Sequence, residues 1–177
     1  MAPEYAGKDR VAPSFEITTL GGSIFRLADY KGKTVLLVFW NTTCDVCKQQ
    51  LPGLRRLVEV SRHYPQLAIL TIAVDESPSD VEAVLEKHTG VKDPFPVALD
   101  PESEIVAGRF GTKLFPETWV IDSSGIVRMR FDGPRNWGGS LAIDLLKNVS
   151  RGGGCPLQVQ SMVARGPGAV VCAEGSR

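Results

Sequence analysis

The 177 residues suit one domain with room for a tail, and 43% hydrophobic with 23% charged residues is enough for an ordinary globular core. Twenty basic residues balance twenty acidic ones, and no Lys/Arg run makes a basic stripe, so a nucleic-acid partner is not expected. The longest apolar run falls far short of the roughly 18 residues that suggest a membrane span.

In chain order, "MAPEYAGKDR" carries no apolar stretch of the kind a signal peptide needs. The protein is then either cytosolic, or exported with its signal removed and a start Met added. Residues 1–10 read as a flexible N-terminus. From Ala12 to Lys33 the chain reads as two short strands around a Gly21-Gly22 turn, then a loop. "TVLLVFW" (Thr34 to Trp40) is unbroken apolar sequence, the mark of a parallel strand buried on both faces. A helix is predicted from Cys44 to about His63, with Leu51, Leu54, Leu57 and Val58 as its apolar stripe and a kink at Pro52. "LAILTIAVD" (Leu67 to Asp75) is a second buried strand. Helix is predicted from Ser79 to His88, with Val81, Val84 and Leu85 inward and Pro78 at its start.

"FPVALD" (Phe95 to Asp100) reads as a short strand and "ESEIVAGRF" as a short helix. "ETWVID" and "IVRMRF" are strands of a hairpin around Ser123-Ser124-Gly125. Gly139 to Val149 is the last helix, with Leu141, Leu145 and Leu146 on one face. This order predicts an α/β domain over residues 11–151, a central mixed sheet with helices on both faces. Residues 152–177 form a Gly-rich tail in which "LQVQSMV" and "AVVCA" can pair, although one hairpin alone is marginal in water.

Cys44 and Cys47 carry the chemistry, and three readings compete for them. Structural zinc needs about four ligands, and the second close pair is missing. A purely structural disulfide would close too small a loop to remove much chain entropy. A redox dithiol accounts for the position: a buried strand delivers Cys44 to a helix start, where free N–H groups and the helix dipole favour a thiolate. Cys47 lies one turn further on the same helix face. Cys44, expected to be the more exposed, then attacks a partner disulfide and Cys47 resolves the mixed disulfide.

Several segments resemble one family. "APSF", "LADYKGKTVLLVFW", "CDVCKQQLP" and "FPETWVIDSSGIVRMRFDG" are similar to the conserved blocks of thioredoxin-fold thiol–disulfide oxidoreductases of the TlpA/ResA/DsbE type, over roughly Val11 to Val149. The resemblance implies a thioredoxin-like fold with extra N-terminal strands and a βα insert between Asp75 and Asp100. It implies that Pro116 is a cis-proline facing the dithiol, where the residues alone suggest an ordinary extended X-Pro step. It further implies an envelope or periplasmic protein that reduces particular clients, such as apocytochrome c or copper-site cysteines, fed by a membrane thiol transporter. No cofactor is needed, because the dithiol itself carries the electrons. Oligomerisation has no sequence signal, and a monomer is the expected state.

The chain departs from the family pattern around the dithiol. Thr43 and Val46 replace a common Trp and Pro. Asp45 is either a helix-start residue or a carboxylate that makes Cys44 a milder nucleophile. Gln50 stands where relatives linked to cytochrome c maturation commonly carry Glu, and it cannot titrate. Phe115 either selects clients by shape or caps the core edge. Trp40 is expected to pack beneath the site, and Trp119 and Trp137 to be core residues. His63 and His88 suit helix ends, Gly108 and Gly111 make no phosphate loop, and Asp75 and Asp122 read as turn residues closing strands.

Cys155 and Cys172 read as a staple of the tail, implying an oxidising compartment, against two free thiols or a second relay. Two other functions are carried as alternatives. A thiol peroxidase of the AhpC/peroxiredoxin-like class would want Pro and Thr seven and three positions before its cysteine, where this chain has Leu37 and Asn41. A copper-binding module would use the two thiolates alone, without a Met or His cluster to help.

Overall fold

A computed structural model describes residues 10–150. The expected pairing of the tail and the Cys155–Cys172 staple lie outside the described residues. At the other end, the Arg10 carbonyl already accepts from the Val127 N–H (2.9 Å), and Val11 bridges Ile126, so the chain is engaged from there on.

Two strands, β1 (Glu16–Thr18) and β2 (Ile24–Arg26), form an antiparallel hairpin, and a 3₁₀ turn follows at Leu27–Tyr30. The main sheet contains β3 (Thr34–Trp40), β4 (Leu67–Ala73), β5 (Val97–Leu99), β6 (Glu117–Ile121) and β7 (Val127–Asp132), in the order β5-β4-β3-β6-β7. β3, β4 and β5 are parallel, while β6 and β7 run antiparallel to their neighbours. Every residue of β3 is buried, as its unbroken apolar run predicts for a central strand covered on both faces.

The helices are α1 (Asp45–Lys48), α2 (Leu51–Ser61), α3 (Pro78–Thr89) and α4 (Ser140–Ser150). Alternate residues of β3 feed two packed layers. Leu36, Val38 and Trp40 join Leu51, Leu54 and Leu57 of α2, Val81 and Leu85 of α3, and Leu146 and Val149 of α4. Val35, Leu37 and Phe39 join Phe15, Phe25, Leu27, Phe110 and Trp119 on the opposite face. So the three long helices cover one face. The other is covered by the 3₁₀ turn, the N-terminal hairpin and a short π-helix at Glu104–Arg109. Among the described residues no helix is long and apolar enough to cross a membrane.

The kink expected at Pro52 is present, and two other elements differ in detail from the sequence reading. The helix expected from Cys44 to His63 is split after Lys48, because the Pro52 ring collides with the carbonyl four residues earlier and supplies no N–H. Gln49 and Gln50 keep right-handed helical dihedrals, so the split is a kink in one course. Leu141, expected to face inward with Leu145 and Leu146, is 59% exposed. Five residues separate it from Leu146, a rotation of about 140° on a helix, so the buried stripe passes it by.

The short helix expected near Phe110 is a π-helix, and its cause is Asp100. That buried carboxylate accepts from the N–H groups of Glu104 (3.0 Å), Ile105 (2.9 Å) and Val106 (2.8 Å). Three orphan donors on one side chain fix the wide first turn, and the Phe110 N–H then reaches back five residues to Ile105 (3.0 Å).

Removing that carboxylate leaves three donors unpaired, two of them on buried residues. Asp100→Ala is expected to lower unfolding free energy by about 2 kcal/mol or more. Urea unfolding of the oxidised protein measures it as a lower midpoint at unchanged slope.

Candidate active site

The site is built at the C-terminal ends of β3 and β4. β3 ends at Trp40, three residues follow, and Cys44 occupies the N-cap of α1 in an extended conformation (φ −83°, ψ 101°). Its Sγ accepts a hydrogen bond from the Cys47 N–H at 3.1 Å, so a sulfur does the work that a Ser or Asp side chain does at other helix starts. Cys44 and Cys47 are joined as a disulfide, with Cα atoms 5.2 Å apart. Cys44 is half-buried, whereas Cys47 is fully buried in the same packed layer as Trp40 and Leu51. The pair therefore shows one sulfur to the outside and hides the other.

The segment before β6 completes the front of the site. The Phe115–Pro116 peptide bond is cis. The Phe115 carbonyl oxygen lies 3.7 Å from Cys44 Sγ, which joins positions 71 apart in the chain. Pro116 is buried, and its carbonyl accepts from the Gly133 N–H at 2.8 Å. Phe115 is half-buried and touches both packed layers at the end of the sheet. Its neighbour Leu114 is 80% exposed, and Val46, between the cysteines, is 43% exposed. These two side chains leave apolar surface exposed on the two segments that meet at the Cys44 Sγ–Phe115 carbonyl contact.

The remaining residues singled out from the sequence fall into place around this pair. Asp45 is exposed and pairs with Lys48 Nζ at 2.8 Å. The hydrogen bond from Lys48, then its charge, holds the Asp45 carboxyl below the usual range. Gln50 is buried; its Oε1 accepts from the Trp137 indole N–H at 3.2 Å, and its amide nitrogen has no partner among the described residues. Trp40 is fully buried, and its indole N–H is likewise unpartnered. Asp122 is a turn residue: its Oδ1 accepts from the N–H groups of Ser124 (2.9 Å) and Ile126 (3.0 Å).

Two carboxylates near the site hold partners that the sequence reading did not give them. Asp75, beyond β4, accepts from the Thr42 N–H (3.1 and 3.0 Å to its two oxygens) and from the Thr42 hydroxyl (2.5 Å). Nothing in a sequence separates this from an Asp that merely ends a strand. Glu117, the residue after Pro116, is buried in the sheet. It accepts from the Thr112 hydroxyl, from the Trp119 indole N–H (2.6 Å) and from Arg130, whose Nε lies at 2.9 Å and Nη2 at 2.6 Å. Here a signal existed: a charge at the head of "ETWVID", a strand with a buried apolar body, requires partners.

The comparisons with known proteins agree with this geometry. Residues 9–130 match the model of the AhpC/TSA family. Over 122 residues the chain is 32% identical to the thiol-disulfide oxidoreductase ResA of Geobacillus thermodenitrificans, covering 69% of this chain and 67% of that protein. Two solved structures are similar. The exposed lipoprotein thioredoxin Etrx1 of Streptococcus pneumoniae aligns with a TM-score of 0.63 at 26% identity, over 77% of this chain and 99% of its own. A thiol:disulfide interchange protein of the thioredoxin family from Chlorobium tepidum aligns with a TM-score of 0.63 at 25% identity, over 84% and 99%.

A five-stranded mixed sheet with a Cys-x-x-Cys pair opening the helix after its central strand defines the class: a thioredoxin-like protein. The chain belongs to the AhpC/TSA family, and within it to the thiol–disulfide oxidoreductases that include ResA.

Burial pushes the Glu117 carboxyl above the ordinary value, while Thr112, Arg130 and Trp119 pull it back in part. A raised folded-state value means that the folded chain binds this proton more tightly than the unfolded one. Its contribution to stability is therefore present at low pH and declines as pH rises from about 4.3 through the folded value. Glu117→Gln removes that slope. Wild-type stability minus variant stability, from urea unfolding at a series of pH values, is expected to fall from about pH 4 toward neutrality; a difference that grows with pH would contradict the assignment.

Proposed function

We propose that this thiol–disulfide oxidoreductase works as a reductase of protein disulfides, with Cys44 as nucleophile and Cys47 as resolving thiol. The observation that carries the proposal is the asymmetry of the pair: Cys44 is only half-buried and its sulfur is capped by the Cys47 N–H, whereas Cys47 is fully buried. In the reduced protein the same N–H stabilises a Cys44 thiolate. That thiolate attacks one sulfur of a client disulfide, forms a Cys44–client bond and releases the client's other thiolate. Cys47, deprotonated, then attacks Cys44 Sγ. The internal disulfide closes, the second client thiolate leaves, and two electrons have passed to the client. A donor dithiol must restore the pair.

On this reading Pro116 and Phe115 form the docking edge, with the Phe115 carbonyl beside the mixed disulfide and exposed Leu114 and Val46 meeting the client's apolar flanks. Asp45 is a helix-start charge largely answered by Lys48 rather than a strong control on the thiol. Gln50 offers a hydrogen bond where relatives commonly hold a titrating acid, which favours a client other than apocytochrome c. Work in the bacterial envelope, with electrons from a membrane thiol transporter, fits the resemblance to exported members, and one structural relative is described as an exposed lipoprotein.

A thiol peroxidase is the second reading, because the matching family takes its name from AhpC. Seven residues before Cys44 stands Leu37, fully buried inside β3, and three before stands Asn41, whose Oδ1 takes the Thr43 hydroxyl at 3.1 Å. Leu37 has no donor to offer a peroxide, and Asn41 puts an amide where the peroxidase pattern has a Thr hydroxyl.

Cysteine trapping tests the proposal. Cys47→Ser is expected to accumulate as a stable mixed disulfide with oxidised insulin, and Cys44→Ser to give none, read by non-reducing electrophoresis and mass. Trapping by Cys44→Ser instead would reverse the roles. Peroxide consumption far above that of a free thiol would replace the activity.

A further inference from the structure

The sequence assigns Asp75 no more than a strand-closing turn, and the site's own chemistry does not call on it. Its surroundings do. β3 and β4 are parallel neighbours with Trp40 opposite Ala73, so the loops that leave them emerge side by side. Thr42 and Asp75 each lie two residues beyond that pair. The Val74 N–H extends the ladder by one bond to the Trp40 carbonyl (3.2 Å). Beyond it the Asp75 carboxylate takes both donors of Thr42, N–H and hydroxyl, in three close contacts. Both residues are half-buried.

The three-residue link from β3 to the cap is thus tied sideways to the next strand. Among the described residues, the Asn41 and Thr43 side chains bond only each other, 3.1 Å between Thr43 Oγ1 and Asn41 Oδ1. Among the described residues the Thr42 side chain has no other hydrogen-bond partner. The dihedrals that place Cys44 Sγ on the Cys47 N–H follow two residues later, and a loop free to shift would let that cap bond lengthen.

We infer that Asp75 is a positioning residue of the dithiol: by clamping Thr42 it holds Cys44 at the N-cap, where its sulfur receives the Cys47 N–H. It acts through Thr42 and touches no reacting atom. The assignment rests on the reading of Cys44 as nucleophile. A carboxylate near a thiol has a second effect of opposite sign, since its charge disfavours the thiolate. Two substitutions separate the effects. Asp75→Ala removes clamp and charge together. Asp75→Asn removes the charge and keeps an acceptor for the Thr42 N–H.

The test is the rate of iodoacetamide alkylation of the fully reduced protein at pH 7, read for each cysteine by peptide mass. Asp75→Ala is expected to slow Cys44 by about fivefold, the worth of one net hydrogen bond to the thiolate, and Asp75→Asn to restore it to within about twofold. A merely structural role would lower the melting temperature without moving the Cys44 rate in the folded protein. Thr42→Val, which deletes only the hydroxyl donor, is expected to slow Cys44 in the same direction and serves if Asp75→Ala does not fold. An unchanged or faster Cys44 in Asp75→Ala, or no slowing in Thr42→Val, overturns the clamp. So does failure of Asp75→Asn to restore the rate. A faster Cys47 than Cys44 in the unaltered protein overturns the nucleophile reading itself, and with it this assignment.

Discussion

The bond from the Cys47 N–H to Cys44 Sγ organises this molecule. For a sulfur to cap a helix it must sit at the helix start, in extended conformation, within about 3 Å of a backbone donor. That demands a rigid strand behind it and a helix that begins on time. β3 meets the first need by being buried along its whole length. The second is met without a long uninterrupted helix. α1 is a single turn, and the course bends at Gln49 and Gln50 before α2 carries Leu51, Leu54 and Leu57 into the core. With so short a first segment, the local N–H donation weighs more than any summed helix dipole.

The same arrangement separates the two sulfurs chemically. Cys47 is packed with Trp40 and Leu51, where burial disfavours a charged thiolate. Cys44 has an N–H donor and lies beside the Phe115 carbonyl. On the roles proposed above, Cys44 begins the exchange and Cys47 finishes it from inside. The site also draws on both strand systems of the sheet. The dithiol comes from the parallel half, and the Phe115–Pro116 step leads into β6 of the antiparallel half. The β3–β6 pairing, with Phe39 opposite Glu117, fixes the two halves against each other. Glu117, held by Thr112, Trp119 and Arg130, anchors the base of the segment that carries Leu114 and Phe115.

Most of the frame was readable in advance because it rests on local patterns. The apolar run of β3, the Pro78 start of α3 and the Asp122 turn all act through neighbours in sequence. The cysteine spacing after β3 placed the dithiol for the same reason. What escaped rests on long-range partners or on exact phase. Asp100 and Asp75 look alike as strand-ending acids, yet one caps a π-helix and the other grips a loop 33 positions away. Leu141 failed by phase, since a stripe drawn through three leucines ignored the five-residue step to Leu146. Phe115 beside Cys44 was legible only through family resemblance, because no local pattern brings together residues 71 positions apart.

Whether the dithiol is a reductant is tested most directly by its equilibrium potential. The protein would be equilibrated in thiol/disulfide buffers at neutral pH, its free thiols trapped, and Cys44 and Cys47 read by peptide mass. A potential near or below about −250 mV is the predicted result, placing the pair with thioredoxin as an electron donor to clients. A value near about −120 mV would mark an oxidant that inserts disulfides, and would contradict the proposed direction of electron flow.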